Sequence, residues 1–515
     1  MRWLGLAFLS AVGCSAFVEG TGDKPISDPN HVGPRAGDDA GQGDAGGDAS
    51  SGCDPLLLPS ENPCVIADAN GVFVSRSRGT SGGGGTQAQP TSSIAEGLSL
   101  AKAKGKRLYV CAESYTEQVT LVESVSMFGY FACDAGNWTI SSSKALVTST
   151  SADGVRANAI RKATRVEGFT LVSPNATAAS ASSFGLVALA SPGLSLVRVT
   201  VRAGDASSGA TGGDAPLVTS SSASDGYKFM PWRSCNGTGA VLCAVASGEP
   251  GVSKCTINGA AAPTAQQGVM GGSGALSTKL TCEWSISFGL TCKLAEASRT
   301  GGSGARVGAG GTNTVVAQAG PQGAFGANGQ NGANVGTFSE AGYVPADGNA
   351  GANGEPGGGG GGGGPSDTAA TASSGTYYSD SGSGGGAGGC AGGAGDAGRG
   401  GGASVAVLLI DSAITIETAE LIAGRGGSGG GGGVGAVGTS GGKGGSGWGT
   451  NGLGAGGTGG VGGNGGSGGA GGGGPSIALG VRGSSPKQTG VSLLSGTGGT
   501  SPANSGLVAG LYAIP

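Results

Sequence analysis

The chain has 515 residues, of which 118 are glycine, with 12% charged residues, 5% aromatics and a formal net charge of −4. Glycine at roughly a quarter of the chain, against a usual share of about 7%, leaves too few large side chains for one broad conventional core. The weak charge and the lack of a basic run exclude neutralisation of a phosphate backbone, so no nucleic-acid partner is expected.

Residues 1–13 (MRWLGLAFLSAVG) place Arg2 before an apolar run, Trp3–Val12, that ends in small residues. This is the pattern of a secretory signal, too short to remain as a spanning helix. Ala11-Val12-Gly13-Cys14 resembles a bacterial lipobox, with Ala11 where Leu is usual, and implies an acylated Cys14 as the new N-terminus. The cysteine count agrees, because eleven cysteines less Cys14 leave ten, which can pair in an exported protein. The alternative is ordinary cleavage with Cys14 free. The resemblance implies a lipid-anchored protein of the outer membrane or cell surface. Residues 14–52, rich in Gly, Asp, Ala and Ser, read as a disordered linker. Their acidic run lacks the spacing of a calcium loop. His31, the single histidine, lies in this linker, which removes any mechanism needing a histidine base in the folded part.

Residues 53–215 carry short strands. Cys53 and Cys64 flank a Pro-containing loop and are placed to close it. Gly71–Ser75 (GVFVS) predicts a strand, followed by a glycine loop at Ser81–Gly85. Ser92 or Ser93 caps a helix over Ile94–Lys104, with Ile94, Leu98 and Ala101 on one face. Strands are expected at Arg107–Cys111, Thr116–Leu121, Ser124–Phe128, Ala145–Thr148, Val166–Val172, Gly185–Leu189, Leu194–Leu196 and Val199–Val201. Short strands with no helices between them suggest a parallel β-helix or a sandwich.

The series GVFVS, glycine loop, PTSSI, GKRLYVC, SYTE, VSMFGYF resembles the N-terminal part of right-handed parallel β-helix, pectin-lyase-like surface proteins. The resemblance implies a helix capping the first, otherwise open, rung. The later runs GGGAGGC and GGGASVAVLL resemble glycine-rich, PGRS-type lipoproteins of myxobacteria. On that reading Cys111 and Cys133 lie one rung apart and a staple between them follows. Trp138 is expected to anchor packing rather than a ligand.

Residues 216–300 break the pattern with Cys235, Cys243, Cys255, Cys282 and Cys292, which with Cys390 make six cysteines and fifteen possible pairings. With no CxxC pair and no nearby histidine, disulfides are expected rather than a metal. A disulfide-held insertion here is a candidate recognition element.

Residues 301–515 alternate strands with glycine tracts. Ser404–Ile410, Ala413–Ile416 and Glu420–Ala423 run out into Gly424–Gly433, an order that recurs at Gly185–Val201 and at Ser476–Leu494. The tracts have a period of three. Gly426, Gly429, Gly432 and onward to Gly447 form one glycine edge, and in 455–470 the non-glycine residues fall three apart. A polyproline II helix has three residues per turn, so this period puts glycine along a whole edge where another backbone can approach. The tracts are therefore expected to pack as polyglycine II-like hairpins growing from successive β-helix turns, the alternative being disorder. Two glycine edges, as in 455–470, suit a tract with neighbours on two sides; one edge, as in 320–332, suits a margin.

No catalytic constellation is visible. Asp134, Asp153, Asp205 and Asp411 stand singly, mostly at turns, and no GxSxG, HExxH or phosphate loop occurs in the required context. The overall expectation is an all-β, right-handed parallel β-helix with one N-terminal capping helix and glycine-rich extensions. Its expected role is a non-catalytic surface lipoprotein without cofactor or metal, serving as structural or adhesive scaffold toward an envelope polysaccharide or protein. The alternative is a polysaccharide-binding or polysaccharide-cleaving protein on the same scaffold.

Overall fold

The computed structural model describes residues 53–54, 56–220, 225–228, 247–276, 280–285, 289–294, 300–303, 306–312, 314–366, 380–448 and 452–515. Cys14, the linker, Cys235 and Cys243 lie outside them. Residues 53–515 form one compact unit.

The regular elements of the described residues are mostly strands in parallel sheets, with one α-helix, Ile94–Lys104, and a few antiparallel hairpins. The first sheet runs Gly71–Val74, Arg107–Cys111, Met127–Ala132, Thr164–Glu167, Leu194–Val197, Thr415–Glu417 and Lys487–Thr489, all parallel. The second runs Ser114–Thr116, Ala145–Thr148, Phe169–Val172, Thr200–Arg202, Glu420–Ile422 and Ser492–Leu494. The third runs Val155–Asn158, Ser183–Leu189, Ser404–Ile410, Ser476–Arg482 and Val508–Ala513. From Thr164 onward each pass of the chain gives one strand to each sheet. Val166, Leu194, Leu196, Leu171, Val201, Leu186, Val407 and Ile416 meet in one core. Short strands with alternating burial suit β-branched and Leu residues at these positions.

Two corners of each pass carry a left-handed residue. Gly168 (φ 74°), Arg198 (φ 50°), Thr418 (φ 50°) and Gly490 (φ 62°) follow strands of the first sheet. Ala159 (φ 54°), Ala190 (φ 45°), Asp411 (φ 51°) and Gly483 (φ 90°) follow strands of the third. This corrects the expected single strand Val166–Val172. Gly168 breaks it, sending Thr164–Glu167 to the first sheet and Phe169–Val172 to the second. The expected strand Thr116–Leu121 likewise shrinks to Ser114–Thr116 plus a bridge from Thr120 to Arg156. Ser124–Phe128 is displaced to Met127–Ala132, because Ser124 is itself left-handed (φ 67°).

The third corner, from second sheet to third, carries every long excursion. Residues between Arg202 and Ser404, and between Ile422 and Ser476, leave and return there. A returning serine closes each base. Ser183 Oγ donates to Pro174 O (2.9 Å), Ser404 Oγ to Gly204 O (2.8 Å) and Ser476 Oγ to Gly424 O (2.7 Å). All three serines are fully buried, so each hydroxyl needs such a partner.

The excursions are ordered by main-chain hydrogen bonds spaced three residues apart. In the tract 456–474, Gly459 N and Gly462 N donate to Gly442 O and Thr439 O (both 2.9 Å). Gly460 N and Gly463 N donate to Gly358 O and Glu355 O (both 2.8 Å). Its carbonyls accept from two further tracts, Val461 O from Gly323 N and Gly460 O from Gly389 N (both 2.8 Å). This tract, with two glycine edges, thus has four neighbours, whereas the main-chain bonds of 320–332 run to two, 349–358 and 458–470. A Cβ added at Gly392, Gly462 or Gly465 would lie under 3.0 Å from backbone of the adjoining tract. None of the three is left-handed, so glycine is required there for close approach, not for φ. Residues 247–276, within the expected separate insertion, join the same network. Gly251 N donates to Gly385 O (2.8 Å), and Gly388 N to Val269 O (2.8 Å).

A hairpin, Thr337–Ser339 with Gly342–Val344, ties the excursion back to the strands. Phe338 packs in a second core with Phe184, Val405, Leu408 and Ile477, which lie on the outer face of the third sheet. That explains why Ser404–Ile410 is buried at every position.

Candidate functional site

The carboxylates singled out from the sequence are not brought together. Asp134 starts a short 3-10 turn, Asp134–Gly136. Asp153 pairs with Arg156 (3.5 Å), and Asp411, at its left-handed corner, pairs with Arg482 (3.5 Å). Asp205 Oδ1 accepts from the backbone N–H of Arg425 (2.7 Å). Among the described residues no group of three His, Cys, Asp or Glu is placed to hold a metal ion.

Asp205 belongs to a set that sequence reasoning missed. Asp214 accepts from Val434 N (2.7 Å), Asp225 from Lys443 N (2.8 Å), Asn328 from Ser467 N (2.9 Å) and Asn331 from Ala470 N (2.9 Å). The tracts offer N–H groups to neighbouring backbone at every third residue. Where an edge lacks an adjoining backbone, an Asp or Asn side chain supplies the acceptor. The signal was available, since Asp205 and Asp214 stand nine residues apart, as do Arg425 and Val434. Nine is three repeats of that three-residue spacing.

Among the described residues one carboxylate is buried. Glu167, only 2% exposed, accepts from Arg165 Nε (2.5 Å) and from Arg198 Nη2 (2.5 Å) and Nε (3.1 Å). The Arg198 guanidinium also lies 4.6 Å from the centre of the Tyr130 ring. Burial pushes the Tyr130 phenol well above its ordinary range, with Glu167 adding to the shift. Nearby, burial lowers the Lys144 ammonium, which donates to Thr200 Oγ1 (3.1 Å). Glu167 has both oxygens engaged by guanidinium groups, so it is placed as a structural counter-ion rather than as an acid or base. In register, Val197 separates it from Glu417.

The aromatic residues near the N-terminus form packing. Phe73, Tyr109, Phe128, Phe131 and Trp138 share a buried cluster, and Trp138 is in edge contact with Phe73 at 4.7 Å. Cys53–Cys64 and Cys111–Cys133 are bonded, the second pair within this cluster. Cys255 is bonded to Cys390, joining residues 247–276 to the tract 384–402. In the hairpin Leu280–Ser285 with Gly289–Leu294, Cys282 and Cys292 are register partners.

The surface with the most regular display of side chains is on the glycine tracts. Val434, Val437, Ser440 and Lys443 are exposed three residues apart. The adjoining tract exposes Thr458, Val461 and Asn464, and the next exposes Gln322, Phe325 and Asn328. Phe325 is 77% exposed and Val437 62%. Comparison with protein-family models, with curated proteins and with solved structures gives no match.

Proposed function

We propose that the protein is a non-catalytic, lipid-anchored surface scaffold with a structural or adhesive role in a bacterial envelope. In this reading the three parallel sheets are a right-handed β-helix, capped by Ile94–Lys104, and the period-three tracts are a polyglycine II bundle. Lipidation at Cys14 and export rest on the N-terminal sequence.

The observation that carries the reading is the use of the acidic side chains. Asp205, Asp214 and Asp225 accept main-chain N–H groups of the glycine tracts. Glu113 accepts from Arg76 N (2.5 Å) and Ser77 N (3.1 Å), and Glu117 from Ile94 N (2.9 Å) and Ala95 N (3.0 Å). Acids committed to backbone support are poorly available as general acid and base, which need a free oxygen facing substrate. The bundle meanwhile displays side chains every third residue on a glycine-rich support, an arrangement suited to contact.

The test offers the purified, oxidised chain from residue 53 onward to a panel of envelope and plant polysaccharides, measuring reducing-end release and binding together. Binding without release is the adhesive outcome, and neither is the structural one. Release of reducing ends would overturn the non-catalytic reading.

A further inference from the structure

Eight Asn-Gly pairs occur in the sequence, and six of them lie among the described residues. Such a pair is open to spontaneous cyclisation, because the attacking glycine nitrogen has no side chain beside it. The fold treats the six differently.

Four pairs stand on the glycine tracts, and each is held at both reacting ends. Asn328 Oδ1 accepts from Ser467 N (2.9 Å), while Gly329 N donates to Ser467 O (2.8 Å). Asn331 and Gly332 grip Ala470 in the same way (2.9 and 2.8 Å). Asn353 Oδ1 accepts from Ala394 N (2.8 Å), and Gly354 N donates to Gly392 O (3.0 Å). Asn464 Oδ1 accepts from Gly438 N (3.0 Å), and Gly465 N donates to Ala436 O (2.9 Å). Attack of the glycine nitrogen on the side-chain carbon requires both bonds to open. In the fifth pair Gly71 is buried in the first strand, and its N–H donates to Ala67 O (3.1 Å).

Asn258-Gly259 differs. It is the two-residue loop between the antiparallel partners Ile257 and Ala260, with φ 50° and 82°, the left-handed pair that such a tight hairpin requires. Both residues are exposed. Neither the Asn258 amide nor Gly259 N bonds to another described residue. A Cβ placed on Gly259 would meet nothing within 4 Å, so the peptide between the two has room to turn.

We propose that Asn258 is a modification site, at which the folded protein deamidates through a succinimide. Gly259 N attacks Asn258 Cγ. The N–C bond forms, the Cγ–Nδ2 bond breaks, and the glycine N–H proton leaves with the amide nitrogen as ammonia. Water then adds to either ring carbonyl and reopens the ring, leaving aspartate or isoaspartate. Water is the one co-reactant. The product puts a negative charge, and in isoaspartate an extra backbone atom, into the hairpin that begins at Cys255, the partner of Cys390. The site is independent of the scaffold role.

Peptide mapping of the folded, oxidised full chain, held at mildly alkaline pH and sampled over days, tests it, with isoaspartate counted by methyltransferase labelling. Asn258 is expected to react at least about tenfold faster than Asn328, Asn331, Asn353 or Asn464, the factor set by two hydrogen bonds of ordinary net strength. The same chain in denaturant is the control. There the lead of Asn258 should vanish, since only sequence neighbours then act. An unreacted Asn258, tract pairs that react as fast as Asn258 in the folded chain, or a lead that persists in denaturant would each overturn the assignment.

Discussion

Replacing Gly392 with alanine tests the packing of the glycine tracts at a point of close backbone approach. The residue is buried, donates to Gly463 O (2.9 Å) and accepts from Gly354 N (3.0 Å). Its added methyl would press on the backbone at Ala436 and on Gly465 N, 2.7 Å away. Relief requires the tract 424–447 to move outward. That loosens the bonds of Ala436 N to Gly393 O and of Gly465 N to Ala436 O, both 2.9 Å, besides the two made by Gly392 itself. Four hydrogen bonds at a net of about 0.5–1.5 kcal/mol each give a loss of about 2–6 kcal/mol. The matched control is Gly431→Ala, where an added Cβ meets nothing within 4 Å. Shedding glycine's unfolded-state freedom there should be neutral or stabilising, by up to about 1 kcal/mol. Denaturant unfolding of both variants measures the difference. A Gly392→Ala protein within about 0.5 kcal/mol of the unmodified chain, the range of ordinary surface changes, would refute the reasoning.

Thr418→Gly should raise stability by up to about 1 kcal/mol, since left-handed φ penalises a β-branched residue and two equivalent corners already hold glycine; thermal melting reads this. Phe338→Ala should cost about 3–5 kcal/mol. Limited proteolysis should then open the 337–344 hairpin first, with the strands of the three sheets still protected. Cysteine-to-serine changes at Cys255 and Cys390, 135 residues apart, should cost up to about 5 kcal/mol by the loop-entropy account, against about 3 for the short Cys53–Cys64 loop. Glu123 provides a pH test. Backbone N–H groups of Arg161 (2.9 Å) and Lys162 (3.0 Å) hold its carboxyl below the ordinary range. Its folded value is lower than its unfolded one, so its contribution is present at neutral pH and lost as pH falls through the folded value. Glu123→Gln should flatten the acid limb of a stability profile without altering its neutral-to-alkaline part.

The legible parts of the fold were those with a local cause. Ser93, followed by the Ile94, Leu98 and Ala101 face, marked the helix, whose bounds are Ile94–Lys104 as expected. Period-three glycine marked the tracts, and its edge count anticipated that 320–332 has fewer neighbours than 456–474. What stayed hidden depended on distant partners. The choice of Cys390 for Cys255 is fixed by hydrogen bonds between tracts, which no spacing along the chain encodes. The corner at Gly168 was read through as continuous strand, Val166–Val172, because a single glycine between apolar residues does not show which sheet each half joins. The Phe338 hairpin was missed because its apolar face is defined by a sheet assembled from residues as far apart as Phe184 and Ile477. Asp205 was read as a turn residue and the other Asp and Asn acceptors were not singled out, since their partners lie 139 or more residues away.

Hydrogen exchange read amide by amide over 384–474 tests the central claim most directly. An ordered lattice predicts slow exchange at Gly386, Gly389, Gly392, Gly459, Gly462 and Gly465, each bonded to an adjoining tract, in phase with the period of three. Uniformly fast exchange across 424–474 would contradict it, and the glycine tracts would then be flexible linkers between the strands of the three sheets.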